Sequence, residues 1–330
     1  MRHKFGPLIV AISLLAGCAT APRGPAGRLA DAGIQATASF GSDTAALAAR
    51  VANGGVAGAF VERLDLCEAQ PNLCDKPLDP ADPLAGPVDP NAPLRQELAK
   101  TIQLRATALT ALGQAYAALK QEADYDARGD MQGAVNEAVA NTNSFAAAAF
   151  SLAKAPIPLD IGKLAGLAGG LIADQRQKGR ILMANAKLRE ITQRLHDGMA
   201  AEARIFEIIA SPIAINRNRV TLYFYDQGLL DGGQLIKPVL DALEVPPPPG
   251  IAARIASTPA LKAAVREALR ASQEIDTVRA RARYRASLAA LQALVVEHDN
   301  LAQQRSVSLA EVGRLLGEVN ALLEPAANNK

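Results

Sequence analysis

The stretch that decides the fold is LRQELAKTIQLRATALTALGQAYAALK, residues 94–120. Its large apolar residues follow one another at steps of four, seven, three, four and three: Leu98, Ile102, Leu109, Leu112, Tyr116 and Leu119. Such steps keep side chains on one face of an α-helix, because the helix has about 3.6 residues per turn. The stretch therefore predicts a long amphipathic helix with one buried face.

Helical patterns of the same kind fill most of the chain after residue 94. We predict further helices at 131–155, 159–210 and 259–304, and a short closing helix from Ser308. Helices of about 45 to 50 residues would be about 70 Å long, more than a globular domain usually holds. The strand-like run 220–225 has no partner strand, so we read it as helical or irregular. The expected fold class is all-α, an elongated antiparallel helical bundle spanning residues 94–330.

Residues 1–17 predict a signal for export. Arg2, His3 and Lys4 form a positive start, and an uncharged, mostly apolar stretch follows at 5–16. About a dozen apolar residues are too few for a spanning helix, which needs about 20. A positive start, a short apolar stretch and small residues before a cleavage point are the parts of a secretory signal peptide.

The end of this signal reads Leu15-Ala16-Gly17-Cys18. It resembles the lipobox of bacterial lipoproteins, in which the signal is removed before the cysteine and the cysteine is acylated. The resemblance covers only the N-terminus. It implies that membrane lipid is a partner through acylated Cys18. It also favours the outer membrane, facing the periplasm, since Ala19 stands where the inner-membrane signal is usually an aspartate.

Two segments separate Cys18 from the predicted bundle. Residues 18–42 are rich in small and polar residues with little periodicity, and predict a lipidated, flexible tether. Residues 43–93 predict short helices interrupted at 53–55, then a disulfide loop and a proline-rich connector. Seven prolines fall between positions 71 and 93, and proline at that density continues neither a helix nor a central strand.

The two other cysteines, Cys67 and Cys74, predict a disulfide. Export would place both in a compartment where disulfides persist, and the turn-prone segment between them can bring the ends together. A metal site at these two cysteines is the alternative. It lacks a histidine nearby to complete the ligand set.

The charge balance argues against nucleic acid as a partner. Loss of Arg2 and Lys4 with the signal leaves 33 basic residues against 33 acidic ones, so the mature chain offers no net positive charge to phosphates. The densest basic run is Arg279, Arg281, Arg283 and Arg285. Its alternate spacing spreads these side chains around a helix, which predicts a solvated surface.

Catalytic and metal-binding motifs are absent from the sequence. The mature chain has two histidines, His196 and His298, and neither has a second histidine or a cysteine at ligand spacing. Both are expected on exposed helix surface. No nucleophile elbow, phosphate loop or dinucleotide fingerprint occurs. We therefore expect no metal, no cofactor and no enzyme activity, and a hydrolase that lacks a recognisable motif is the third hypothesis.

The segment 144–173 is the most apolar part of the mature chain. Phe145, Phe150 and a run of alanines lead to a proline turn, and Gly162, Gly166 and Gly170 then recur every fourth residue. Glycines at that spacing share one helix face and allow another backbone to approach closely. The segment is interpreted either as a hairpin packed inside the bundle or as one that inserts into lipid or a partner.

Two functional hypotheses follow. The first is an envelope lipoprotein that acts as a non-enzymatic scaffold or spacer and binds another envelope protein. The alternative is a membrane-active or oligomerising protein that uses the hairpin 144–173. Burial of the hairpin would favour the first hypothesis, and a large exposed apolar patch on it would favour the second.

Overall fold

The computed structural model describes residues 22–69, 92–125, 130–156, 177–242 and 244–323. These residues form an all-α helical bundle, as predicted, and contain no β-strand. The eight helices are α1 (Arg23–Ala69), α2 (Ala92–Tyr125), α3 (Asp130–Leu152), α4 (Gln177–Asp226), α5 (Gly232–Ala242), α6 (Ile251–Ser257), α7 (Pro259–Ala302) and α8 (Ala310–Leu323). At 1.5 Å per residue, α1 and α4 are about 70 and 75 Å long.

Helices α1, α2, α4 and α7 form the centre of the bundle, and each runs antiparallel to the next in this order. Contacts along the pairs fix these directions: Asp31–Lys120 and Thr44–Arg105 join α1 to α2, Glu122–Arg180 and Arg105–Glu202 join α2 to α4, and Asn185–His298 and Asp226–Arg266 join α4 to α7. One end of the bundle therefore holds the start of α1 and the end of α7, and is called the Arg23 end. The other holds the end of α4, and is called the Asp226 end.

Helices α3 and α4 run in the same direction. Both begin beside the last turn of α2: α3 follows α2 after four residues, and the Gln177 side chain donates to the Glu122 carbonyl. Along the pair, Asn143 contacts Arg194 and Phe145 contacts Gly198.

The prediction of a flexible tether at 18–42 is wrong from Arg23 onward. These residues belong to α1 and supply part of the core, with Leu29, Ala30 and Ala36 fully buried and Phe40 only 1% exposed. The helix also continues through 53–55, where an interruption was predicted. Small side chains weaken the apolar periodicity of this stretch in the sequence. In the bundle they let α2 come close.

Glycine has a specific packing role in that close approach. A Cβ on Gly33 would overlap the ring of Tyr116, and one on Gly113 would lie 2.9 Å from Thr37 Oγ1. Each glycine therefore leaves room for a side chain of the facing helix. Intrinsic propensity disfavours glycine in a helix by about 1 kcal/mol, so the contact between the helices offsets that cost.

The other helix predictions from the sequence are confirmed within the described residues. Helices α2, α3, α7 and α8 lie within a few residues of their predicted positions. The strand-like run 220–225 is helical and forms the end of α4. The predicted helix 159–210 is observed from Gln177 and extends to Asp226, while residues 157–176 lie outside the described residues.

A second, small core lies at the Asp226 end. Tyr225, Ile255 and Val265 are its buried members, and α5 and α6 pack there against α7. Gly232 makes this packing possible, because a Cβ at that position would lie 2.6 Å from the Ile255 side chain.

Candidate functional site

Polar side chains interrupt the apolar interior of the bundle in several layers. The members with at most 8% exposure include Thr44, Arg105, Glu122, Arg180, Asn185, Thr192, Glu202, Arg283 and His298. Burial of a polar group is costly unless it finds a hydrogen-bonding partner. We therefore take these layers as the candidate functional site.

The central layer is a buried ion pair between α2 and α4. Arg105 Nη1 donates to Glu202 Oε2 at 2.9 Å, and the two side chains are 1% and 0% exposed. Arg105 Nε donates to Thr44 Oγ1 at 3.1 Å. Burial acts to lower the pKa of Arg105, but the negative charge of Glu202 opposes it, and the net effect of the surrounding groups raises this pKa. Arg105 is therefore a fixed cation in the core.

Tyr284 of α7 completes this layer. Its hydroxyl donates to the Met199 carbonyl at 2.7 Å, and the Arg105 guanidinium carbon lies 5.5 Å from the centre of its ring. Burial raises the pKa of Tyr284 well above its usual value, so the hydroxyl keeps its proton. With Thr44 on α1, the layer takes side chains from all four central helices.

A second ion pair lies next to this layer and corrects one expectation. Arg283 was predicted on the solvated surface with Arg279, Arg281 and Arg285. It is instead 6% exposed, and its Nε lies 3.1 Å from Asp43 Oδ1. Arg279 and Arg285 are exposed, as predicted. The alternate spacing does spread the arginine side chains around α7. Arg283 is the one that faces α1, where it meets Asp43.

The next layer toward the Arg23 end is centred on His298. Tyr116 Oη lies 2.8 Å from His298 Nε2 and 2.9 Å from Thr192 Oγ1. His298 Nδ1 lies 2.7 Å from Asn185 Oδ1, while Asn185 Nδ2 donates to the His298 carbonyl at 2.9 Å. The expectation of an exposed His298 is wrong, since the residue is fully buried.

These contacts assign the protons of the layer. Because the Asn185 amide nitrogen faces the His298 carbonyl, its oxygen faces Nδ1, so Nδ1 carries the proton. Nε2 then accepts from the Tyr116 hydroxyl, and Tyr116 accepts from Thr192. Burial lowers the pKa of His298 to about 3. The imidazole is therefore neutral at ordinary pH, and its two nitrogens align α2 with α4 and α7.

Two further polar layers lie toward the ends of the bundle. Near the Arg23 end, Arg180 donates to Glu122 Oε1 through Nε at 3.0 Å and Nη2 at 2.7 Å. Toward the Asp226 end, Asn218 Nδ2 donates to the Leu269 carbonyl at 2.8 Å and to Gln273 Oε1 at 2.9 Å. Each layer again joins α4 to a neighbouring helix.

The buried polar groups of this interior fix how the helices align along one another. Its groups are buried and bond mainly to one another, so sliding one helix by a turn would leave charges and donors without partners. Among the described residues, no three His, Cys, Asp or Glu side chains are placed to hold a metal ion. Also among these residues, no helix has the length and apolar character needed to cross a membrane.

The predicted site residues are placed as follows. Phe145 is fully buried in α3 against Gly198, whose Cβ would lie 2.8 Å from the Phe145 ring, and Phe150 is partly buried. Cys67 lies in the last turn of α1. Cys18, Cys74, Gly162, Gly166 and Gly170 lie outside the described residues, so the lipidation, the disulfide and the glycine face stay predictions.

The polar layers were missed by sequence reasoning, although the sequence carried a signal for them. The apolar stripe of α2 has a seven-residue step between Ile102 and Leu109, and Arg105 occupies the omitted turn. In α4 the apolar stripe also has a seven-residue step, from Met199 to Phe206, and Glu202 lies within it. A charged residue in a stripe of this kind marks a buried polar layer.

No protein-family model, curated protein or solved structure matches the chain.

Proposed function

We propose that this chain is a lipid-anchored protein of the bacterial envelope whose helical bundle is a rigid, non-enzymatic scaffold. The scaffold holds another envelope protein away from the membrane. Ala19 after the lipobox cysteine favours the outer membrane as the one that carries the anchor. The anchor rests on the resemblance of Leu15-Ala16-Gly17-Cys18 to a lipobox. The observation that carries the scaffold is the continuous bundle that begins at Arg23.

The short distance between the anchor and the bundle supports a rigid spacer. Only four residues separate Cys18 from Arg23, so the two Cα atoms are at most about 18 Å apart. The Arg23 end would therefore stay close to the lipid headgroups. The Asp226 end lies about 75 Å further along α4, so an upright bundle would present this end far from the membrane.

Burial of the first part of the apolar segment 144–173 supports the scaffold over the membrane-active alternative. Phe145, Ala146 and Ala149 are fully buried in the bundle. Insertion of these residues into lipid would require their removal from the core and would leave the space beside Gly198 unfilled.

Fractionation of cells that produce the full chain tests the anchor. Wild-type protein should stay with the membranes, and Cys18→Ser should release the protein or stop removal of the signal. Retention of a normally processed Cys18→Ser protein in the membrane fraction would contradict the anchor.

Energy transfer to a headgroup-attached acceptor tests the orientation. A fluorophore is introduced through an unnatural amino acid at exposed Arg305, near the Arg23 end, or at exposed Leu229, near the Asp226 end. We expect strong transfer from position 305 and almost none from position 229 in vesicles that carry the lipidated protein. Equal transfer from the two positions would contradict an upright spacer, and Cys18→Ser serves as the unanchored control.

A further inference from the structure

The connection between α5 and α6 has an unusual composition and exposure. Residues 244–250 read EVPPPPG, and every one of them is exposed. The four consecutive prolines cannot donate backbone hydrogen bonds. Glu244 carries the one charged side chain in this segment, which gives it no cationic group for lipid phosphates or nucleic acid.

The prolines determine the conformation of the segment. Each proline has its φ fixed near −65°, and a residue that precedes a proline is restricted to extended conformations. Val245, Pro246, Pro247 and Pro248 all precede a proline. Pro246, Pro247 and Pro248 are therefore restricted to the left-handed polyproline II conformation, which has about three residues per turn, and Val245 before them is extended.

Both ends of the segment are attached to packed elements. Val245 N donates to the Leu240 carbonyl at 3.0 Å, and Ile251 N donates to the Pro248 carbonyl at 3.1 Å. Gly250 closes this second turn with a φ of 72°, which glycine adopts without strain. Helix α6 then packs through buried Ile255 against Tyr225. The segment is therefore presented in one conformation, and a partner would lose little conformational entropy by binding it.

We propose that residues 244–250 are the part of this scaffold that a partner protein binds, through a groove lined with tryptophan and tyrosine side chains. Polyproline II segments bind such grooves because proline rings pack between aromatic rings, while the exposed carbonyls accept hydrogen bonds from Trp N–H or Tyr O–H. The inference rests on the proposed function, in which the Asp226 end carries the partner. The segment lies beside that end, next to the small core of Tyr225, Ile255 and Val265.

Photo-crosslinking in cells that produce the full chain tests this inference. Benzoylphenylalanine replaces Val245, which is 43% exposed, and leaves all four prolines in place. The same crosslinker at exposed Arg254, on the neighbouring helix α6, serves as the position control. Pro247→Gly disrupts the polyproline segment, and Pro156→Gly makes the same change at an exposed proline elsewhere.

The expected result is one adduct from position 245 with another protein, whose crosslinked peptide contains tryptophan or tyrosine. Pro247→Gly should lower its yield about tenfold, since one more backbone residue must then be ordered on binding. Excess synthetic peptide of residues 244–251 added to permeabilised cells should do the same, whereas Pro156→Gly should leave the yield unchanged.

Three results would overturn the inference: no adduct from position 245, an adduct that is insensitive to Pro247→Gly, or an adduct with lipid or a second copy of this chain. Fractionation of the same cells separates this failure from failure of the proposed function. If the protein stays in the membrane fraction but gives no adduct, the anchor stands and the proposed binding role of residues 244–250 is refuted. If the adduct forms on protein outside the membrane fraction, the binding role of residues 244–250 is supported and the lipid anchor at Cys18 is refuted.

Discussion

Removing one partner of the buried ion pair should destabilise the bundle strongly. Arg105→Met keeps the linear stem of the side chain and removes its charge. Glu202 would remain at 0% exposure without its counter-ion, where burial raises the pKa of its carboxyl and disfavours the charged form. Breaking a buried pair in this way typically costs about 3 to 5 kcal/mol, since the remaining charge has lost both water and its counter-ion.

Removing both partners should restore most of that loss. The pair Arg105→Met and Glu202→Leu fills the layer with apolar side chains, and such replacements are often neutral or stabilising. Tyr284 keeps its bond to the Met199 carbonyl in this variant. We therefore expect the double variant to lie within about 1 kcal/mol of the wild type or above it, so the two single losses should not add.

Urea unfolding of the mature chain without its lipid, followed by far-ultraviolet circular dichroism, measures these differences. Arg266→Met is the matched control, because the Arg266 and Asp226 side chains are 44% and 39% exposed and an exposed pair contributes at most about 1 kcal/mol. A loss below 1 kcal/mol for Arg105→Met, or a double variant as unstable as the single one, would refute the account of this layer.

Three further predictions concern single positions. Burial holds the pKa of His298 at about 3, so the unfolded chain binds more protons below pH 6.5, and the free energy of unfolding should fall by up to about 1.4 kcal/mol per unit of decreasing pH. His298→Gln should flatten this dependence in urea titrations between pH 6.5 and 5, and unchanged slopes would exclude a neutral buried histidine. Gly33→Ala should lower the free energy of unfolding by about 1 to 3 kcal/mol, because its methyl group would overlap Tyr116 on the facing helix. Gly41 has open space around it, so Gly41→Ala should raise the free energy of unfolding by about 0.5 to 1 kcal/mol. If calorimetry shows melting temperatures shifted in the same direction for both variants, the packing role of Gly33 is refuted. Cys67 and Cys74 should resist alkylation in unreduced protein, and free labelling of both would rule out their disulfide.

The helical class could be predicted from sequence because its signal is local. The steps between Leu98 and Leu119 lie within one helix and need no knowledge of its neighbours. The long α7 was predictable for the same reason. Its apolar stripe repeats over most of the length between Pro259 and Ala302.

The close packing of the first helix and the pairing of the buried polar groups were not predictable in this way, since both depend on residues in other parts of the chain. Gly33 resembles a tether residue until Tyr116 is placed against it. Arg105 resembles a surface residue until Glu202 is brought to it, 97 positions away. A reading that treated each gap in an apolar stripe as a buried polar position would have found Arg105 and Glu202, but not which groups they meet.

The arrangement of the buried bonds also determines when the bundle can be completed. Tyr116 reaches His298 across 182 positions of sequence, and Arg105 reaches Tyr284 across 179. The chain is synthesised from its N-terminus, so α1 and α2 can pair before α7 exists. Until α7 arrives, the polar groups of Arg105 and Tyr116 stay hydrated. Contacts between such distant positions slow the folding of a domain. The core of this bundle should therefore be completed only after α7 has been synthesised. An intermediate that contains only the first helices would be a substrate for chaperones and proteases.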